Sequence, residues 1–402
     1  MSGLRESRGK YVVTIPGILI GLTIMYCIFF PADKINIKEI ILGITLFVCL
    51  PHIIQAAQKK ENTYLFFYAV IYPAITTIIS VLIGDSSING ALSYGYVWIF
   101  LLLIPAVVAL NIDIKKPFIF ATTGVALIID FIFLADILGI VSIYSNPLIQ
   151  FFAGMNEMQW GKGLLATFGY SIFYKSSPLI IFTFGYMLYN KKYVWAGVLF
   201  LSFLASGTRA NLLIGMFLLA AIPLLCTENK PSKKIVIGLI LFGAALFILP
   251  NLIDRLTALN QLKYGRSDEI KIQTIYSIFD HLNAAPYRYI FGSGVGSYFY
   301  SAGRNAYVDV VEVSFFDYFR QVGVIGFSLF LTFLVRPMKW LYRNEKWVLL
   351  CLLGYLVVAF TNPLLVTSTS FMAYVLVFSN GMGRRRVSLL NKNILSNYSE
   401  SE

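Results

Sequence analysis

Twelve apolar runs follow one another along the 402 residues, near 11–30, 38–56, 63–83, 94–110, 117–140, 177–189, 193–207, 210–226, 235–252, 315–335, 347–362 and 366–381. Most approach the length that a helix rising about 1.5 Å per residue needs to cross a hydrocarbon layer roughly 30 Å thick. Lipid offers backbone N–H and C=O groups no partner, so a segment in it must satisfy its own, which a helix does. Hydrophobic residues make up 58% of the chain and charged residues 13%, so a soluble domain with an apolar core is excluded. The pattern predicts an all-α polytopic membrane protein of about twelve transmembrane helices. Residues 1–402 form one membrane domain, with no internal boundary. The first run, Tyr11–Phe30, is long and has no small-residue cleavage site after it, so it reads as a span and not as a signal.

Basic residues gather in every second connection. They are Arg5, Arg8 and Lys10; Lys59 and Lys60; Lys115 and Lys116; Lys191 and Lys192; Lys230, Lys233 and Lys234; Arg336, Lys339, Arg343 and Lys346; and Arg384, Arg385 and Arg386. The positive-inside rule then predicts cytoplasmic N- and C-termini and places the intervening connections outside. The net charge of +12 is on this reading mostly a topology signal, and nucleic acid is not an expected partner.

Two outer connections exceed simple turns. The first, about Val141–Ser176, is aromatic (Tyr144, Phe151, Phe152, Trp160, Phe168, Tyr170) and weakly charged (Glu157, Lys162, Lys175), and is expected to be partly re-entrant. The second, about Ile253–Ser314, is the largest soluble piece and is predicted to contain short helices. Ser267, Asp268 and Glu269 mark a capped helix start. Ile272, Ile275, Phe279 and Leu282 mark an apolar face, expected to pack on the membrane domain or lie at its surface. A loop with Gly292, Gly294 and Gly296 follows, flanked by Arg288 and Arg304. Its N–H groups could approach an anion, although such a run more commonly makes a flexible turn.

Several chemistries drop out. Cys27, Cys49, Cys226 and Cys351 lie in apolar runs without metal spacing, His52 and His281 are not placed as a metal pair, and no phosphate-binding P-loop precedes a helix. No metal or cofactor is expected. Chemistry would fall to arginines, carboxylates and tyrosines on the outer face. Arg209 is the lone charge between Tyr193 and Cys226, at the join of two short helices, and an arginine at membrane depth costs about 2.5–3.5 kcal/mol unless it reaches water or an anion. Asp130 and Asp136 lie within the fifth run, as a proton or cation relay or as structural anchors. Asp309, Glu312 and Asp317 precede Arg320 at the outer end of the tenth. They either form local helical pairs, or Glu312 and Arg320 face a cavity that Arg209 also reaches.

The hairpin SGTRANLLIG, the large outer loop, FGSGVGSYF and the run EVSFFDYFRQVGVIGFSLF resemble, in that order, the O-antigen polymerase (Wzy-type) and O-antigen ligase superfamily, over roughly Tyr193 to Val335. The ligase branch usually carries a histidine, then Asn, Ser or Gln, then nine residues and a glycine. Counting back from Gly323 finds Glu312 and Val313 there, which favours the polymerase branch. The resemblance implies a metal-independent glycosyltransferase with a membrane-embedded GT-C-type fold. It would join undecaprenyl-pyrophosphate-linked oligosaccharides at the periplasmic face of the bacterial inner membrane, with a chain-length regulator as a further partner. Arg209 would then hold the pyrophosphate, helped by Arg288, Arg304 and Arg320, because guanidinium matches phosphate with paired hydrogen bonds. Glu312 would take the proton of the attacking hydroxyl, and Asp317 would help to bind the substrate. Trp160, Tyr298 and Tyr300 would stack on sugars. A ligase, or a transporter of lipid-linked sugars coupled through Asp130 and Asp136, are the alternatives.

Topology is directly testable. Reporter fusions at Lys60, Lys191 and Arg343 are expected to report cytoplasm, and fusions at Ser87, Lys263 and Thr367 the exterior. A cytoplasmic signal at Lys263 would remove the outer active loop.

Overall fold

The computed structural model describes residues 14–83, 86–162, 170–227 and 265–380. Helices cover eleven of the twelve apolar runs; the ninth, 235–252, lies outside the described residues, as do Arg5, Arg8, Lys10, Lys230, Lys233, Lys234 and Arg384–Arg386. In chain order they are α1 (Ile15–Phe29), α2 (Ile37–Ala57), α3 (Thr63–Ile83), α4 (Ile88–Leu110), α5 (Lys115–Ile137), α6 (Pro147–Gly154), α7 (Ser177–Tyr189), α8 (Tyr193–Ala205), α9 (Arg209–Leu225), α10 (Gly265–Asn283), α11 (Tyr287–Phe291), α12 (Ser314–Asn344), α13 (Lys346–Phe360) and α14 (368–380). Among the described residues α2, α3, α4, α5 and α12 are long and apolar enough to cross a membrane, and α1, α7, α8, α9 and α13 are shorter apolar helices. The protein is a predominantly helical membrane protein.

Two antiparallel ribbons amend the all-α expectation. β1 (Met158–Lys162) pairs with β2 (Tyr170–Tyr174), and β3 (Phe299–Ser301) pairs with β4 (Ala306–Val308). Both lie in the long connections. In β2, Tyr170, Ile172 and Tyr174 face inward and alternate with half-buried Ser171 and Phe173, the two-residue period of a strand with one packed face.

Helix α7 is central, touching α5, α8, α9 and α13, while α1 packs on α2 and α5, and α12 on α13. Lipid weakens the hydrophobic drive between helices, so polar cross-links and close packing matter more. Thr23 and Thr45 hydroxyls bond at 2.8 Å between α1 and α2, and Tyr72 bonds Tyr318 at 2.8 Å between α3 and α12. Trp98 of α4 is the hub of an aromatic cluster with Tyr68, Tyr72, Phe330, Phe333 and Phe371.

The two sets of connections separate to opposite ends. Glu157 accepts from the Ala32 and Asp33 N–H groups, Ser368 Oγ reaches Pro31 O, Leu364 N reaches Ser314 Oγ, and Val295 N reaches Ser80 Oγ. The connections poor in basic residues therefore meet at one end. At the other, Arg336 lies over the Tyr64 ring and Tyr189 stacks on Trp347, bringing together the basic connections near Lys60, Lys191 and Lys346.

Helix α12 breaks at Gly323, which has φ 65° and ψ −174°. The break leaves the carbonyls of Arg320 and Gln321 without their helical partners, and they accept the N–H groups of Ser293 and Gly294 at 2.8 and 3.0 Å. α10 lies across this end. Ile275, Ile278, Phe279 and Leu282 pack with Phe299, Val311, Val313, Phe316 and Phe319. The predicted apolar face is thus present, turned so that Ile278 is buried and Ile272 exposed.

Backbone conformation yields a stability prediction. Gly323→Ala places a side chain in a glycine-only region and against Ile290 and Gly292, and is expected to cost about 1–3 kcal/mol or more. Gly139→Ala, also at positive φ (69°) but with open space around it, is expected to cost less. Thermal unfolding of the two purified variants makes the comparison.

Candidate functional site

Arg320 organises the end where the long connections meet. It is fully buried, and four hydrogen bonds and an ion pair with Asp317 meet its guanidinium. Nε donates to Asp317 Oδ1 at 2.9 Å, Nη1 to Ser297 Oγ at 2.7 Å and Ser297 O at 3.2 Å, and Nη2 to Asp309 O at 3.2 Å, with Nη2 also 2.8 Å from Asp317 Oδ1 in the ion pair. The Phe299 ring covers one face, its centroid 4.4 Å from the guanidinium carbon. Asp317 is as fully engaged, since its Oδ2 takes the Gln321 amide at 3.0 Å and the Val311 N–H at 3.4 Å. The three-residue spacing on a helix makes this pair local, and the loops close around it.

The glycine loop is part of the same lock. Gly292, Gly294 and Gly296 all have positive φ. A Cβ on Gly294 would lie 2.9 Å from the Ser80 backbone, and one on Gly296 2.8 Å from the Gly90 carbonyl carbon. The N–H groups of Gly292, Ser293, Gly294, Val295 and Ser297 are all donated within the protein. The loop is therefore buried and fixed, neither a flexible turn nor an open anion cradle, because its glycines let backbone pass between α12 and the α3–α4 turn.

Beside this lock opens a cleft of about 260 Å³, walled by the starts of α2, α4 and α12 and by the α13–α14 connection. Lys38, Tyr94, Tyr96, Ser314, Asp317 and Gln321 are its principal polar lining. Lys38 is only 6% exposed. Its ammonium donates to Pro31 O at 3.1 Å and stands 3.9 Å from Glu39, so not all three donors are engaged. The Tyr94 hydroxyl and Gln321 Oε1 are buried atoms without a hydrogen-bond partner. Buried polar atoms left open in this way cost stability unless something else meets them.

The turn that carries Lys38 is pinned from the first long connection. Glu157, fully buried just before β1, accepts from Ala32 N at 2.8 Å and Asp33 N at 2.9 Å. Asp33 in turn takes the Tyr26 hydroxyl at 3.0 Å and the Lys38 N–H at 2.6 Å. Burial pushes the Glu157 carboxyl above the usual range, against the pull of those two N–H groups and of Lys175 and Lys38. Burial also pushes the Lys175 ammonium down, opposed by Glu157.

The residues singled out in the sequence are dispersed. Arg209 opens α9 behind the Gly207 turn, which packs on Tyr170 of β2, and it does not line the cleft. Glu312 is half-exposed and pairs with Arg304 at 3.3 Å and Lys271 at 3.6 Å, between cleft residues Val311 and Ser314 in the chain. Glu312 and Arg320 do not share a cavity: Arg320 is enclosed by Asp317 and the loop backbone. Arg288 donates to the His281 carbonyl at 2.9 Å, near the end of α10. Trp160 meets Tyr144 edge-on at 5.4 Å, Tyr298 is exposed, and Tyr300 pairs with Tyr307 at 5.5 Å. Asp136 anchors the turn after α5, accepting from the Ile143 N–H and the Tyr170 hydroxyl. Asp130 is buried, and neither of its oxygens has a hydrogen-bond partner. Lys38, Glu157, Tyr94 and Gln321 carried no weight in the sequence reading. One signal was there: Lys34 and Lys38 are basic residues in a connection that the charge alternation assigns to the basic-poor set.

The two ion pairs should respond differently to mutation. Arg320→Lys strands buried acceptors and is expected to cost about 3–5 kcal/mol, visible as a lower melting temperature and faster proteolysis of the loop near Tyr298. Arg304→Lys, in the exposed pair with Glu312, is expected to cost no more than about 1 kcal/mol. No protein-family model matches the chain, and no curated protein matches it.

Proposed function

We propose that this protein is a polysaccharide polymerase of the O-antigen type, transferring a glycan from one undecaprenyl-pyrophosphate carrier to another at the periplasmic face of the inner membrane. About twelve spans and a GT-C-like membrane domain belong to the same reading. The observation that carries it is the cleft. Lys38, with donor capacity left, lines one space among apolar helices together with Tyr94, Asp317 and Gln321, at the end away from the basic connections.

The chemistry assigns the roles. The donor's bond from anomeric carbon to pyrophosphate oxygen breaks, giving oxocarbenium character at carbon and charge on phosphate. A cation already in place in a water-poor cleft stabilises that charge without reorganising. Lys38 takes this role here, in place of Arg209. Tyr94 and Gln321 bind sugar hydroxyls. The attacking hydroxyl's proton needs a carboxylate with an open acceptor position; Asp317 has none, and Glu312, next in the chain to cleft-lining Val311, does. Arg304 and Lys271 hold Glu312 in place. A second reading, a transporter of lipid-linked sugars, draws on Asp130, whose buried carboxyl has no hydrogen-bond partner within α5.

A deletion strain separates these readings. A missing polymerase leaves surface glycan one repeat long with no ladder; a missing transporter delivers no glycan; a missing ligase leaves long chains on the carrier. In the complemented strain, Lys38→Gln and Glu312→Gln are each expected to lower polymerisation about 10²–10³-fold at unchanged protein level. Loss of the ladder with Arg209→Lys but not with Lys38→Gln would move the phosphate site to the α8–α9 turn.

A further inference from the structure

Helix α11 and the start of the glycine loop stand well below the end of the bundle from which the chain enters them. Ile290 and Gly292 pack against Gly323 too closely for any side chain there. Gly323 follows the start of α12 at Ser314 by nine residues, about 13 Å at roughly 1.5 Å per residue. Helix α3 gives the same level independently. Phe291 lines one small cavity with Ile75, Ile79 and Ile325, and Ile75 precedes the α3 end at Ile83 by eight residues, about 12 Å. Arg336, over the Tyr64 ring at the basic end, marks the opposite boundary. From Ser314 to Arg336 α12 rises about 33 Å, close to the roughly 30 Å of a hydrocarbon layer. Ile290, Phe291 and Gly323 therefore lie well inside that layer. The chain then climbs back, since Gly294 passes Ser80 and Gly296 passes Gly90, close to the α3–α4 turn.

We propose that residues 284–297 form a re-entrant loop, dipping about 13 Å into the bilayer from the end away from the basic connections, with α11 seated against lipid acyl chains. Non-helical backbone is tolerated at such depth only where protein or water meets its polar groups. Here Ser293 and Gly294 donate to the carbonyls freed at the α12 break, and Val295 donates to Ser80 Oγ. The side chains of α11 divide in the same sense. Arg288 donates to the His281 carbonyl and Tyr289 to Asn283 Oδ1, both toward α10. Tyr287, Ile290 and Phe291 are 46%, 45% and 45% exposed. Continuity selects lipid as what covers them. Phe291 shares its cavity with Ile75 and Ile325, which belong to the exposed apolar faces of α3 (with Ile78 and Leu82) and α12 (with Val324). In water these residues would form one exposed apolar patch across two spans. The loop also bears on the cleft, because Gln321 lines it and gives its carbonyl to Gly294. The inference holds whichever reaction the cleft carries.

Spin-label accessibility in the full-length protein, held in lipid nanodiscs, tests the depth. Labels on Ile290→Cys and Phe291→Cys are compared with one on Ile78→Cys, on the exposed face of α3, and one on Tyr307→Cys, on the exposed ribbon. Wild-type protein gives the background from Cys27, Cys49, Cys226 and Cys351. Each label is read for collisions with dissolved oxygen, which concentrates in hydrocarbon, and with a water-soluble nickel chelate. The labels on α11 are expected to match Ile78→Cys, with frequent oxygen collisions and several-fold fewer nickel collisions than Tyr307→Cys. Nickel collisions as frequent as at Tyr307→Cys would place α11 in water and overturn the proposal. Shielding from both reagents would overturn it too, since protein and not lipid would then cover the face. A second variant pair reads the same point without a label. Phe291→Asp puts a carboxylate at bilayer depth and is expected to lower the amount of folded protein in the membrane, whereas Tyr307→Asp leaves it unchanged. Equal amounts of the two would count against lipid contact at α11.

Discussion

A guanidinium taken out of water must have its N–H groups met, and at Arg320 this requirement brings three stretches of chain to one point. Asp317 comes from the same helix, Ser297 from the glycine loop and Asp309 from the segment leading into α12. The latch works in both directions. The side chain of Arg320 holds residues 297 and 309, while the carbonyls of Arg320 and Gln321, released by the break at Gly323, hold residues 293 and 294. Each half depends on the other, because an unpaired buried charge or carbonyl costs several kcal/mol in a low-dielectric setting. Gln321 is positioned by the same lock: Asp317 fixes its amide nitrogen, while Oε1 is buried without a hydrogen-bond partner.

The remaining walls are pinned separately. Glu157 and Asp33 hold the α1–α2 turn and with it Lys38. Ser314 Oγ bonds within the α13–α14 connection, and Tyr355 and Tyr374 donate to Leu364 O and Leu365 O at 2.9 Å each. Three networks thus converge on one space, and two of them meet where Lys38 Nζ and Ser368 Oγ both donate to Pro31 O. The polar atoms in it are held by neighbours already satisfied, which is how a site presents groups to a ligand with little reorganisation.

Charge chemistry divides along the same line. The fork of Arg320 matches several acceptors at once, and the protein uses it where the pairing is closed. Lys38 is a compact charge with donors to spare, at the place where the pairing is open. Glu312, half in water between Arg304 and Lys271, keeps acceptor capacity that Asp317 lacks. Residue type alone therefore did not separate structural charge from available charge; the number of acceptors around each group did.

Hydrophobic runs of near-membrane length and the alternation of basic connections were legible along the chain, because both follow from local composition and a lipid solvent. Among the described residues helices stand where those runs are, and the two kinds of connection separate to opposite ends. The amphipathic period of α10 was legible too, to within one position. Short-range sequence did not disclose that the Gly-x-Gly-x-Gly loop is a buried strap, since its constraint comes from Ser80 and Gly90, some two hundred residues earlier. Nor did it disclose that Arg320 is enclosed while Lys38 faces a cleft, because acceptors at Ser297 and Asp309 and the brace from Glu157, more than a hundred residues from the turn it holds, exist only once the chain has folded. Apolar periodicity reports which solvent a segment meets; which partner a charge meets is settled by long-range packing.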